Sequence, residues 1–344
     1  MDYFAGANTR NGFVSLFPDI IGRSKRVYII KGTPGCGKST FMKRVAFLAD
    51  KKGYETDRIF CSGDPDSLDG VYIRGIGVLM IDGTSPHTAD AVYPFARDSL
   101  IDLGAFINGD KLAGSKEEII HLCDSKALCY KRAYSLLSAR GDIRDALLHS
   151  AVSRTDPAVL ARYTRRLSKK LFSADGGRQV LIAKAFSPSG VVTLPSFTHV
   201  GTLLRLSRRG GAGTVMLLSL CRAADEARAQ YCFIPDPTDI SLPAALYFPG
   251  SDMLVSASAD APCTAADTEK NVCAERIFVR GSSAPAAGER LLTKLSASLA
   301  AEALRALSQA KDIHLRLEAV YSSAVDFDSL GEFTESFAHG LFAE

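Results

Sequence analysis

The nine residues Gly32-Thr33-Pro34-Gly35-Cys36-Gly37-Lys38-Ser39-Thr40 restrict this chain more than any other stretch. They meet the pattern G-x-x-x-x-G-K-[ST] through Gly32, Gly37, Lys38 and Ser39, with a further glycine at Gly35. A polyphosphate is held by converging backbone N–H groups. Glycines supply both the left-handed dihedrals and the bare surface which that convergence needs. The whole loop is therefore expected to line a phosphate chain. Lys38 would reach the β- and γ-phosphates, Ser39 would ligate Mg²⁺, and Thr40 would lie near the α-phosphate at a helix N-terminus. The context agrees. Arg26–Lys31 is a β-branched and aromatic run that reads as a buried strand. Residues 39–52 are helix formers, with Phe41, Val45 and Leu48 at helical spacing and Gly53 as a stop. Strand, glycine loop and helix in this order predict an α/β unit.

Mg²⁺ calls for a carboxylate as well as the serine hydroxyl. Gly77-Val78-Leu79-Met80-Ile81-Asp82 supplies one, an apolar strand ending in an acid. An acid there faces the crevice where open α/β sheets bind ligands, although Asp82-Gly83-Thr84 also reads as a plain turn. Asp64, Asp66 and Asp69 follow a second predicted strand, Arg58–Cys61. Asp64 is the candidate for orienting an attacking water or a substrate hydroxyl, against a simple turn and helix-start role for Asp-Pro-Asp. His87, just past Asp82, is a candidate catalytic or sensor group, against an ordinary loop histidine.

The chain also matches itself. Ala7–Leu16 pairs with Ala185–Leu194, Gly35-Cys36-Gly37 with Gly211-Ala212-Gly213, Asp64-Pro65 with Asp236-Pro237, and Asp142-Ile143 with Asp312-Ile313. Offsets near half the length predict two copies of one α/β unit, 1–172 and 173–344, each with a C-terminal helical segment. The second copy is chemically degenerate in this alignment. Thr214 stands in place of Lys38, Val215 in place of Ser39, and Met253–Ala257 ends without a carboxylate. The tracts Ser256–Ala266 and Ser282–Ala287 read as loops.

Composition excludes several classes. Net charge is only +3, and no apolar run is long enough to span a bilayer. The eight cysteines form no C-x-x-C pair, so they read as reduced thiols, and a cytoplasmic location without membrane insertion is expected. Residues 126–178 carry twelve Lys and Arg against four Asp and read as two helices joined across Arg154-Thr155-Asp156-Pro157. A solvated face is the plainer reading. An acidic or nucleic-acid partner, or an arginine finger from Arg132, Arg140 or Arg144, is the sharper one. Few stacking aromatics lie in that stretch, so nucleic-acid binding is weakly supported.

Cys61–Val71, Asp82–His87, Ile101–Gly104 and Glu318–Phe327 resemble segments of a bacterial family of duplicated, tandem P-loop proteins named as ATPases. The likeness runs over nearly the full length. It implies α/β architecture with tandem P-loop NTPase-like parallel sheets and flanking helices, and ATP with Mg²⁺ as the ligands. That family's second copy carries a recognisable phosphate loop, from which Thr214 and Val215 depart. The expected function is Mg-dependent ATP hydrolysis coupled to conformational change in a pseudo-NTPase second half. A kinase for a small metabolite or nucleotide is the alternative, and a nucleotide-gated binding module with negligible turnover is a third. The macromolecular partner and any phosphoryl acceptor are left open by the residues.

Overall fold

The computed structural model describes residues 1–207, 209–282 and 287–342. The first half runs β1 (Asp2–Phe4), β2 (Gly6–Thr9), β3 (Gly12–Ser15), α1 (Phe17–Gly22), β4 (Arg26–Lys31) and α2 (Lys38–Lys51). It continues with β5 (Thr56–Phe60), β6 (Leu68–Ile73), β7 (Val78–Asp82), β8 (Asp98–Asp102), α3 (Lys116–Ser153) and α4 (Pro157–Leu171). The second half runs β9 (Arg178–Val180), β10 (Lys184–Ser187), β11 (Gly190–Thr193), β12 (Phe197–Leu206), α5 (Ala212–Glu226) and β13 (Tyr231–Pro235). After these come β14 (Pro243–Phe248), β15 (Met253–Ser256), β16 (Cys263–Val272), α6 (Ala287–Ser322) and α7 (Phe327–Leu341).

The first six-stranded sheet has the order β1-β5-β6-β7-β4-β8. β7, β4 and β8 are parallel, as the glycine-loop context predicts, but β6 pairs antiparallel with both β5 and β7. The expected parallel sheet is thus a mixed one. The cause is chain length. Only Arg74–Gly77 joins β6 to β7, closed by Gly77 N–H donating to Ile73 O, whereas a parallel crossover needs about a dozen residues. Asp69-Gly70, a dipeptide common in turns, lies inside β6. The second sheet, β9-β13-β14-β15-β12-β16, repeats this order and the direction of every pairing. The self-matching segments Ala7–Leu16 and Ala185–Leu194 form the hairpins β2–β3 and β10–β11. These join through Phe186 opposite Asn8 into one four-stranded sheet. Part of the tract Ser256–Ala266, read as loop, belongs to β16, while 283–286 lie outside the described residues.

The two large sheets bury one face against each other. Val27, Ile29, Leu79 and Ile81 share a core with Leu203, Ile234 and Leu254. Alternate residues on the other face of the first sheet, Tyr28, Ile30 and Met80, pack with Phe41, Met42 and Val45 of α2. α2 therefore lies on one face of the first sheet, while the short α1 adds Phe17 and Ile20 to the core between the sheets.

The helical segments are exchanged between the halves. α7, from the end of the chain, packs Leu330, Phe333, Phe337 and Ala338 onto the α2 side of the first sheet. An Arg44–Glu335 ion pair of 2.5 Å fastens it there. α4, from the first half, packs Leu160, Tyr163, Leu167 and Leu171 onto the α5 side of the second sheet. The boundary at 172/173 thus separates two sheets but not two cores. α3 and α6 run antiparallel, with Lys126 on His314 at one end, Arg132 on Glu302 between, and Ser150 on Glu289 at the other. Asp156, the predicted join between α3 and α4, caps α4 by accepting from Ala158 N and Val159 N. No helix among the described residues is long and apolar enough to cross a membrane.

Candidate functional site

The glycine loop connects the carboxyl end of β4 to α2, and Gly37 caps the helix in the left-handed region at φ 89°. A side chain there would be strained, which explains glycine immediately before Lys38. Lys38 Nζ donates to Gly32 O at 3.2 Å and to Thr33 O at 2.8 Å. It also lies 3.7 Å from Asp82 Oδ2. Lysine and strand-end carboxylate therefore face one crevice. Asp82 opens its turn as well, since Oδ1 accepts from Thr84 N at 2.9 Å and Thr84 Oγ1 at 2.5 Å. Oδ1 thus serves the turn, while Oδ2 faces Lys38 across the crevice. Ser39 Oγ accepts from Leu68 N at 2.9 Å and keeps its own proton and a lone pair. Cys36 is buried beneath the loop, and burial pushes its thiol up.

The residues suit a Mg-nucleotide by their donor set. Thr33 Oγ1 is buried with no hydrogen-bond partner among the described residues. Among those residues no group of three or more His, Cys, Asp and Glu forms a ready metal site. Ser39 and Asp82 are the oxygens at hand, few enough to suit Mg²⁺, which takes one or two protein ligands and fills the rest with phosphates and water.

Asp64 is engaged by α6. It forms an ion pair with Lys311 of α6 and accepts from Ser67 Oγ at 3.0 Å. Burial alone would raise its carboxyl, but the bonds from Lys311 and Ser67 hold it below the ordinary value. Its counterpart Asp236 is likewise held by Arg144 at 2.7 Å, so the recurring Asp-Pro anchors the long helices in both halves. His87 is buried edge-on against Phe13 and Phe17, with Nε2 2.7 Å from Asp69 Oδ2.

The groups gathered around Lys38 instead come from α6 and α3, which sequence reasoning missed. His314 places Nδ1 3.3 Å from Lys126 Nζ and Nε2 3.5 Å from Glu318 Oε1. Glu318 also closes the loop from above: a Cβ on Gly35 would stand 2.7 Å from Glu318 O, which only glycine avoids. Lys311, His314 and Glu318 share one face of a helix by their spacing of three and seven, a signal present in the sequence. Burial, then the charges of Lys126, Lys38 and Lys311, pull His314 down to about 4. Burial, aided by Asp64, pushes Glu318 up.

A pH prediction follows from His314. Its native value lies below its unfolded value of 6.5, so the unfolded chain binds more protons between 6.5 and about 4. Native stability should fall as pH drops through that window. Urea unfolding at stepped pH should show His314→Gln losing this part of the slope, and an unchanged slope would refute the assignment.

In the second half the register differs from the sequence alignment. α5 begins at Ala212 behind Gly211, which takes the left-handed φ of 79° as Gly37 does before Lys38. Ala212 therefore stands in place of Lys38, Gly213 in place of Ser39, and Thr214 matches Thr40. The alignment slipped by two residues because glycine pairs were matched without the helix start. The lysine and the serine are absent in either register. Arg140 and Arg144, the arginine-finger candidates, line a cavity of this second half, and Arg132 pairs with Glu302. Five further basic residues, Arg162, Arg165, Arg166, Lys169 and Lys170, lie exposed on α4 as a solvated face. Comparison of the chain with protein-family models, with curated proteins and with solved structures finds no match.

Proposed function

We propose that the chain is a tandem P-loop NTPase-like protein, its second copy degenerate, that binds Mg-ATP in the first half and hydrolyses it. The observation that carries this reading is the approach of Lys38 Nζ to Asp82 Oδ2, 3.7 Å, at the mouth of the glycine loop. The repeated strand order of the two sheets supports the duplication. Gly32–Thr40 would cradle the phosphates, with Lys38 turning from the carbonyls of Gly32 and Thr33 onto the β- and γ-oxygens. Ser39 and Asp82 would hold Mg²⁺, which when bound neutralises charge on the β- and γ-phosphates. Glu318, raised by burial and beside His314, is suited to accept a proton from an attacking water. Lys126 and Lys311 add positive charge around the same point.

Coupling between the halves is supported by α3 and α6. One end of that helix pair carries Lys126, His314 and Glu318, and the other carries Arg140 and Glu289. Loss of the γ-phosphate would release contacts at the first end.

The nucleotide-gated module is the second reading, favoured by the closeness of Glu318 O to Gly35, which makes α6 a gate over the loop. Phosphate release is the test. Turnover with ATP and Mg²⁺ alone supports the hydrolase, turnover only with an added acceptor supports a kinase, and binding without turnover supports the module. Asp82→Asn and Ser39→Ala should each weaken Mg²⁺ dependence on the order of 10-fold or more in that assay. An unaltered Mg²⁺ titration in both variants would remove these residues from the metal site.

A further inference from the structure

A cavity of about 870 Å³ opens in the second half where β12 leads into α5. α3 and its C-terminal cap bring Arg140, Arg144 and Arg154 to the lining, and α6 brings Arg290 and Lys294. Lys184 and Arg209 come from β10 and the loop before α5, and only Asp236 and Glu289 are acidic. Asp236 answers Arg144 at 2.7 Å, and Glu289 answers Arg154 at 3.2 Å. Lys184 lies 3.5 Å from Asp260. Arg209, Arg290 and Lys294 form no ion pair among the described residues, which leaves a strong positive excess.

Arg140 is the most informative of these groups. Its Nε donates to Ser296 O at 3.2 Å and its guanidinium lies 5.4 Å over the Phe186 ring. Its Nη1 is buried with no hydrogen-bond partner among the described residues. Burial and the neighbouring Arg144 lower it to about 10, so it stays charged at neutral pH. A buried guanidinium nitrogen left without a partner is costly unless an anion completes its bonds.

The backbone adds to this field. Gly210, Gly211 and Thr214 form part of the wall, so the first turn of the 15-residue α5, which has no capping side chain, brings N–H groups and its positive end to the cavity. Metal ligands are missing at the matching positions. Gly213 stands for Ser39, and a Cβ on it would lie 3.0 Å from the methyl of Ala257. Leu147, Leu148, Phe186 and Val191 give the cavity an apolar side.

We propose that this cavity binds an organic polyphosphate of the nucleotide class without a divalent cation, the arginines neutralising the phosphates and the apolar side receiving the organic group. The site stands independently of the first half. The test is calorimetric titration of the full chain carrying Lys38→Ala with ATP in excess EDTA, then with tripolyphosphate. Saturable 1:1 ATP binding is expected. Arg140→Ala should weaken it roughly ten-fold or more, as should the double variant Arg290→Glu with Lys294→Glu. Both residues of the double variant are exposed, so the fold should survive those changes if Arg140→Ala disturbs it. No binding in EDTA, binding only after Mg²⁺ is restored, or equal affinity in the variants would overturn the proposal. Tripolyphosphate bound as tightly as ATP would overturn its organic part, and an oligonucleotide bound in place of ATP would overturn it in favour of nucleic acid.

Discussion

Lys38→Ala is expected to lower kcat/KM for ATP hydrolysis by about 10²–10³-fold, the usual loss when one donor to a developing phosphate charge is removed. The lysine is held in place by two loop carbonyls and by Asp82 across the crevice. Alanine would leave the glycine backbone intact while removing the only ammonium that the loop itself supplies. Lys126 and Lys311 stand nearby but belong to α3 and α6, and Lys311 is already paired with Asp64. They should not substitute. Phosphate release and equilibrium nucleotide binding, measured on the same preparation, would check this. A variant that retains full turnover would remove Lys38 from the chemistry. Retained metal-free ATP binding in the variant would not, because the second-half cavity is a separate source of it.

The second large effect is structural. Leu330→Ala should destabilise the chain by about 2–5 kcal/mol, the range for a buried leucine truncated in a packed core. Leu330 is 6% exposed and belongs to the core beneath α2. It also backs the phosphate loop, since a Cβ on Gly37 would lie 3.0 Å from Leu330 Cδ2. Nucleotide affinity should fall along with stability. For the same reason the fragment 1–172 should fail to fold or to bind nucleotide. It lacks both α7 and the second sheet, which cover the two faces of the first sheet. A fragment with a cooperative unfolding transition and native nucleotide affinity would show that the exchange of helices is dispensable. Chemical denaturation of the point variant, and circular dichroism of the fragment, supply the measurements.

Local order was legible from residues alone. The run Arg26–Lys31, the glycine loop and the helix after it are fixed by short-range dihedral and patterning preferences, and all stand where the sequence puts them. The strand ending at Asp82 was legible for the same reason, and the repeat of Ala7–Leu16 at Ala185–Leu194 was legible as a self-match, though not its hairpin form. The antiparallel β6 was not, because Asp69-Gly70 is a turn signal that pairing with two neighbours overrides. Nor could apolar strands say what would cover them. A buried face looks alike whether helix or sheet lies against it, so the sheet-on-sheet core and the exchange of α4 and α7 belong to tertiary structure. The same holds for the sites. The sequence by itself determined the glycine loop that we propose grips phosphate oxygens, because its shape is made by consecutive backbone groups. Only the packing of α3 against α6 decided which charges gather at that loop and at the second-half cavity, since His314 and Glu318 reach the first, and Arg140 the second, through contacts that span nearly half the chain or more.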